Sequence, residues 1–120
     1  MLILLVDDDP ATVFVLNRLL VSRGHEVDIC ADGAQALARL RSKAYAVLLT
    51  DLVMPGMSGL DLVREARGLR GGLRCLIVTG HPRPREGDEG VTWLRKPLDI
   101  DALLSTLEAI ARTEVASATL

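Results

Sequence analysis

Aromatic residues are scarce in this sequence: Phe14, Tyr45 and Trp93 are the three in 120 residues, which leaves the core to aliphatic side chains. Cysteine is nearly missing as well. Cys30 and Cys75 lack the C-x-x-C spacing of redox and zinc sites, and a chain with 49% hydrophobic residues is no disulfide-stapled miniprotein. Both cysteines lie in apolar, strand-like stretches and read as reduced core residues. Positive charge is not in excess either, since 14 basic residues face 16 acidic ones for a net charge of −2. No global basic field is available to hold nucleic-acid phosphates or an anionic membrane, so neither is expected as a partner. The opening apolar run, Met1 to Val6, has no basic residue ahead of it and stops at three aspartates. That excludes a signal peptide or a membrane span in this stretch, and a cytoplasmic chain is the expectation.

What the sequence does contain is a repeated rhythm. Apolar runs at Leu2 to Val6, Glu26 to Cys30, Ala46 to Thr50, Cys75 to Thr79 and Val91 to Leu94 alternate with amphipathic stretches of helix length. Nearly continuous apolar runs mark strands covered on both faces, so one α/β domain is predicted, a mainly parallel sheet between helices. Local punctuation supports the boundaries. Asp9 and Pro10 read as N-cap and first residue of a helix that Gly24 closes. Asp32 with Gly33 opens a second helix running to about Ser42, Ser58 a third ending near Gly68, and Asp99 caps the last. The segment Gly80 to Gly90 holds Pro82, Pro84 and three glycines in eleven residues, too short and broken for an ordinary crossover helix. A loop or a single turn is predicted there. The domain is expected to fill residues 1–113, with 114–120 a frayed tail.

In an open parallel sheet, ligands bind beyond the carboxyl ends of the strands. Asp7, Asp8 and Asp9 end the first strand, Asp51 the third, Thr79 the fourth and Lys96 the fifth. The carboxylates of Asp7, Asp8 and Asp51 repel one another, which raises a pKa or demands a cation, and an all-oxygen set with open positions suits Mg2+. Lys96 adds an ammonium and Thr79 a hydroxyl donor, both suited to phosphate oxygens. A carboxylate can be the nucleophile of phosphoryl transfer, and Asp51 is the candidate. Asp9 reads as a helix cap, and Pro55, Gly56 and Gly59 as turn residues.

The order V-D-D-D (Val6 to Asp9), D-L-V-M-P-G-M-S-G (Asp51 to Gly59), V-T-G (Val78 to Gly80) and W-L-R-K-P-L (Trp93 to Leu98) resembles the receiver domain of two-component response regulators, across almost the whole chain. The resemblance implies a flavodoxin-like, doubly wound five-stranded parallel sheet of order 2-1-3-4-5. It implies a signalling receiver rather than an enzyme, with Asp51 taking a phosphoryl group from a phosphohistidine on a sensor histidine kinase or histidine phosphotransfer protein. By the same resemblance Asp7 and Asp8 form an acidic pair, and Asp8 and Asp51 ligate Mg2+ beside the backbone carbonyl of Val53. Lys96 then pairs with the phosphate and Thr79 shifts to hydrogen-bond it. Trp93 takes the place of the family's switch aromatic, and the Lys96–Pro97 peptide is expected to be cis.

The family's fourth helix is shortened or replaced by a loop over 80–90, so Trp93 and that loop are expected to form a modified switch. On the first helix Leu16, Leu19 and Leu20 face the core, while Val13, Phe14 and Val21 spread apolar surface onto its other sides. The family docks its phosphodonor on this helix, so two readings stand for these three residues: contact with that partner or with a second copy in a homodimer, or tighter burial against the domain itself. Val53 and His81 occupy positions through which the family tunes dephosphorylation: Val53 offers no base, whereas His81 can orient water. Two other functions compete. One is a haloacid-dehalogenase-like phosphatase, whose D-x-D-x-T motif is half met by Asp7 and Asp9, with Ala11 where threonine belongs. The other is a phosphorylation-independent pseudo-receiver, against which Asp51, Thr79 and Lys96 together argue.

Overall fold

Apolar runs become strands and amphipathic stretches become helices in the computed structural model, which describes residues 1–80 and 90–118, with side chains through Thr113. The order is β1 (Leu2–Val6), α1 (Pro10–Ser22), β2 (Glu26–Cys30), α2 (Gly33–Ser42), β3 (Val47–Asp51), α3 (Gly59–Leu69), β4 (Arg74–Thr79), β5 (Val91–Arg95) and α4 (Ile100–Ala118). All pairings are parallel and the sheet order is β2-β1-β3-β4-β5, the flavodoxin-like arrangement.

Successive strand residues point to opposite faces, so each central strand feeds two cores. Leu4, Val6, Leu48 and Ile77 pack with α2 and α3, whereas Ile3, Leu5, Leu49 and Val78 pack with α1 and α4. Both faces of β1 and β3 are thereby covered. The edge strand β2 departs from the continuous pattern, because Glu26 and Ile29 are exposed. Its Asp28 accepts hydrogen bonds from the Lys43 ammonium at 2.9 Å and the buried Tyr45 hydroxyl at 2.6 Å.

Helix ends follow the caps in the sequence. Asp9, Asp32, Ser58 and Asp99 each accept a hydrogen bond from a backbone N–H of the turn they open, at 3.3, 2.8, 3.1 and 3.1 Å. Gly24 closes α1 at φ 88°, where a side chain would be strained. The third helix runs one residue past Gly68. The last runs to Ala118, so the boundary expected at 113 falls inside it and the tail expected from 114 begins as helical backbone. The loop expected over 80–90 and its His81 lie outside the described residues, apart from the flanking Gly80 and Gly90. Cys30 and Cys75 are free and buried, and burial raises both thiols' pKa values, which keeps them unreactive.

Candidate functional site

The carboxyl ends of β1, β3, β4 and β5 form one rim because the strands are parallel and in register. Beyond β1, the Asp7 N–H donates to the Cys30 carbonyl at 3.1 Å, extending the ladder by one rung. Beyond β5, the Lys96 N–H donates to the Thr79 carbonyl at 2.9 Å. Asp51 closes β3 opposite Val78. The structure thus brings Asp7, Asp8, Asp51, Thr79 and Lys96 to one edge of the sheet.

Ligand oxygens of Asp7, Asp8 and Asp51 lie within 4.8 Å of one another. Asp7 is only 5% exposed. Burial, above all, raises its pKa, and the negative charges of Asp51 and Asp8 add to the rise. The Asp9 N–H, donating to Asp7 Oδ1 at 2.9 Å, and the Lys96 charge pull the other way. Asp51 Oδ1 accepts from the Leu52 N–H at 3.0 Å and lies 3.2 Å from Lys96 Nζ. Three carboxylates of graded exposure, hard oxygen donors with water-facing positions left over, fit Mg2+. Asp9 stands apart: its carboxylate caps α1 and accepts the Thr12 hydroxyl at 2.6 Å, which lowers its pKa.

The β3–α3 turn carries Val53, whose side chain is exposed. The Leu52 N–H donates to the Val78 carbonyl at 3.1 Å and the Gly59 N–H to the Leu52 carbonyl at 2.8 Å, which fold the turn back onto the strand end. At Gly59 a Cβ would run into the Asp51 carbonyl. The sequence marked Gly59 as a turn residue; its requirement is close backbone approach, a signal that one sequence does not separate from a flexible turn.

Trp93 sits elsewhere. It pairs with Ile77 in mid-strand, half-buried against the core that α2 and α3 share, and not at the rim. The Lys96–Pro97 peptide is cis. On α1, Phe14 and Val21 are exposed, at 61% and 53%, but Val13 packs partly against the second core. Val15, 57% exposed, was missed; it lines a groove of about 370 Å³ with Ala11, Thr12, Leu16, Leu98 and Ile100. Its place one residue after Phe14, on the side opposite Val13, was the available signal. A smaller cavity of about 180 Å³ adjoins the rim and shares Asp7, Asp51 and Lys96 with it. No helix among the described residues is long and apolar enough to cross a membrane.

The family described as the response regulator receiver domain matches residues 3–108. The sensor protein EvgS of Escherichia coli (strain K12) is 35% identical over 117 residues, 91% of this chain and 10% of that protein. The receiver domain of the hybrid histidine kinase CckA superposes with a TM-score of 0.81 at 35% identity, covering 92% of this chain and 98% of the other. The response regulator protein TrrA from Thermotoga maritima, in complex with Mg(2+)-BeF, gives 0.84 at 27% identity, covering 91% and 97%. The chain spans between 10% and 50% of the length of curated relatives that it matches. Neither the phosphatase reading nor the pseudo-receiver reading is favoured by these matches, which are response regulators and receiver domains of sensor kinases. The chain belongs to the family of response regulator receiver domains.

Proposed function

We propose that Asp51 is the phosphoacceptor of a two-component relay and that the rim is built to make it one. A carboxylate oxygen of Asp51 attacks the phosphorus of a phosphohistidine; the new O–P bond forms as the P–N bond breaks, and its electron pair returns to the donor imidazole. Lys96, 3.2 Å from Asp51 Oδ1, is in reach of the transferred oxygens and neutralises charge on them. Asp7, Asp8 and Asp51, with the Val53 carbonyl, would hold Mg2+, which when bound supplies positive charge to the phosphoryl oxygens. The Asp9 N–H keeps the Asp7 carboxylate turned toward its neighbours. Thr79, buried at the end of β4, donates its hydroxyl to the phosphoryl group once present, and Trp93 reports or relays the adjustment. Receiver domains are signalling modules; the chemistry proposed for this one is its own phosphorylation and hydrolysis. Val53 puts no acid or base beside the acyl phosphate, so water is not activated from that side.

The phosphodonor is a sensor histidine kinase or a histidine phosphotransfer protein, docking on the apolar outer surface of α1 around Phe14 and Val21. The reaction belongs in the cytoplasm, where free thiols such as those of Cys30 and Cys75 stay reduced. The single observation that carries the proposal is the Lys96–Asp51 contact beside two further carboxylates. Incubation with acetyl phosphate and MgCl2, read by intact mass, should add one phosphoryl group to the wild type and none to Asp51→Asn. Equal labelling of both proteins would overturn the assignment.

A further inference from the structure

Thr50 precedes the acceptor and is 1% exposed, a polar side chain that follows three apolar ones in β3. Its hydroxyl donates to the Asp51 carbonyl at 2.9 Å and lies 3.8 Å from Met54 Sδ. A hydroxyl has one proton, and the carbonyl is the stronger acceptor. The peptide unit joining Asp51 to Leu52 is therefore held at its carbonyl end by Thr50. At its amide end the Leu52 N–H reaches both the Val78 carbonyl, at 3.1 Å, and Asp51 Oδ1, at 3.0 Å. A peptide unit is planar, so fixing the carbonyl fixes the direction of that N–H. The N–H in turn orients the carboxylate oxygen that Lys96 contacts.

We infer that Thr50 is a positioning residue for the acceptor: its hydroxyl, acting through the Asp51–Leu52 peptide plane, sets the direction of the Asp51 carboxylate and the start of the turn that carries Val53. The inference rests on Asp51 being the phosphoacceptor. Gly59 presses on the same carbonyl, where it leaves no room for a Cβ. The carbonyl is thus confined by a donor on one side and by close-packed backbone on the other. A buried threonine can be a mere satisfied polar group, and that role predicts lost stability without lost alignment.

The test compares Thr50→Val, which keeps the shape and removes the hydroxyl, with Thr50→Ser, which keeps the hydroxyl. Amide hydrogen exchange at Leu52, in metal-free protein without donor, should quicken about three- to tenfold in Thr50→Val, the range of one hydrogen bond, and stay within about twofold of wild type in Thr50→Ser. Mg2+ affinity by calorimetry and the rate of labelling by acetyl phosphate at saturating Mg2+ should fall in the same order. Unchanged Leu52 exchange, or unchanged Mg2+ affinity and labelling, in Thr50→Val overturns the inference. So does a serine variant as impaired as the valine one, which assigns the effect to packing of the methyl group. If Thr50→Val does not fold, Thr50→Ala against Thr50→Ser makes the same comparison of hydroxyl with none. Failure of the wild type to take the phosphoryl group would sink the reading of Asp51, while Leu52 exchange would still judge Thr50.

Discussion

Replacing Asp7 with Asn should stabilise the metal-free protein while weakening its response to Mg2+. The amide keeps the shape of the side chain and an oxygen to accept the Asp9 N–H, so what changes is one charge in a crowded rim. At the 4.8 Å that bounds the Asp7, Asp8 and Asp51 oxygens, two full charges repel by about 0.9 kcal/mol in water and ~3.5 kcal/mol at an effective dielectric constant of about 20. Asp8 is exposed and Lys96 offsets part of the field, so a net relief of about 1–2 kcal/mol is expected. For 120 residues that raises the melting temperature in EDTA by about 4–8 °C at neutral pH. The direction follows from Asp7. Burial, more than the charges beside it, lifts its folded pKa above 3.8, so the folded chain binds the proton more tightly than the unfolded one and wild-type stability falls as pH rises through that range. Well below pH 3.8 Asp7 is protonated in both states, and the advantage of Asp7→Asn should vanish. Mg2+ inverts the order: at ~100 times its Kd it adds about 2.7 kcal/mol, ~11 °C, to the wild type, and far less to the variant. Scanning calorimetry in EDTA and across a MgCl2 titration measures both effects. An Asn variant that melts below the wild type in EDTA at neutral pH would refute the reasoning, as would a wild type indifferent to Mg2+.

Gly59→Ala should cost about 1–3 kcal/mol by pushing a methyl group into the Asp51 carbonyl, and the folded fraction should label more slowly with acetyl phosphate; chemical denaturation and intact mass check the two parts. Tyr45→Phe removes a 2.6 Å donor from Asp28 and should cost about 1–2 kcal/mol at neutral pH. Hydrogen bonds from Lys43 and Tyr45 hold the folded pKa of Asp28 below 3.8, so this contribution is present above 3.8 and is lost as pH falls through the folded value; the Tyr45→Phe penalty should shrink in acid-denaturation curves over that range. Phe14→Glu should leave labelling by acetyl phosphate intact and slow transfer from a phosphorylated kinase by about tenfold or more. Unchanged transfer with unchanged sedimentation would remove the α1 surface from partner binding, and a change in sedimentation alone would make it a self-association surface.

The strands, to within one residue at their ends, the helix caps and the rim were legible because each rests on short-range chemistry: an aspartate before a proline, an apolar run ended by acids. Asp51, Asp7, Asp8 and Lys96 were legible for a second reason, since parallel strands deliver their last residues to one edge. What stayed hidden depends on packing across the chain. Helical spacing puts Val13 and Val15 on opposite sides of α1, but how far each is buried depends on the neighbouring core and on Leu98 and Ile100, which leave one half-buried and the other exposed. Gly59 looks like any turn glycine until the Asp51 carbonyl is seen against it. Thr50 is, in the sequence, only the last residue of an apolar run, and its hydroxyl gains meaning from the peptide plane it holds. The last helix reaches Ala118 where the sequence, rich in small and polar residues after 113, offered no apolar stripe to follow.

The border strand β2 has a consequence for how such a domain can be used. A sheet's outer strand exposes a row of backbone donors and acceptors that invites a foreign strand to zip onto it. Here Glu26 is exposed, and on the same face of the strand the Asp28 carboxylate is held between an ammonium and a phenol. An incoming strand would have to lie against two negative charges, one of them already committed. A module whose β2 border is charged in this way can be strung beside other folded units, crowded at high local concentration, without that border recruiting their strands.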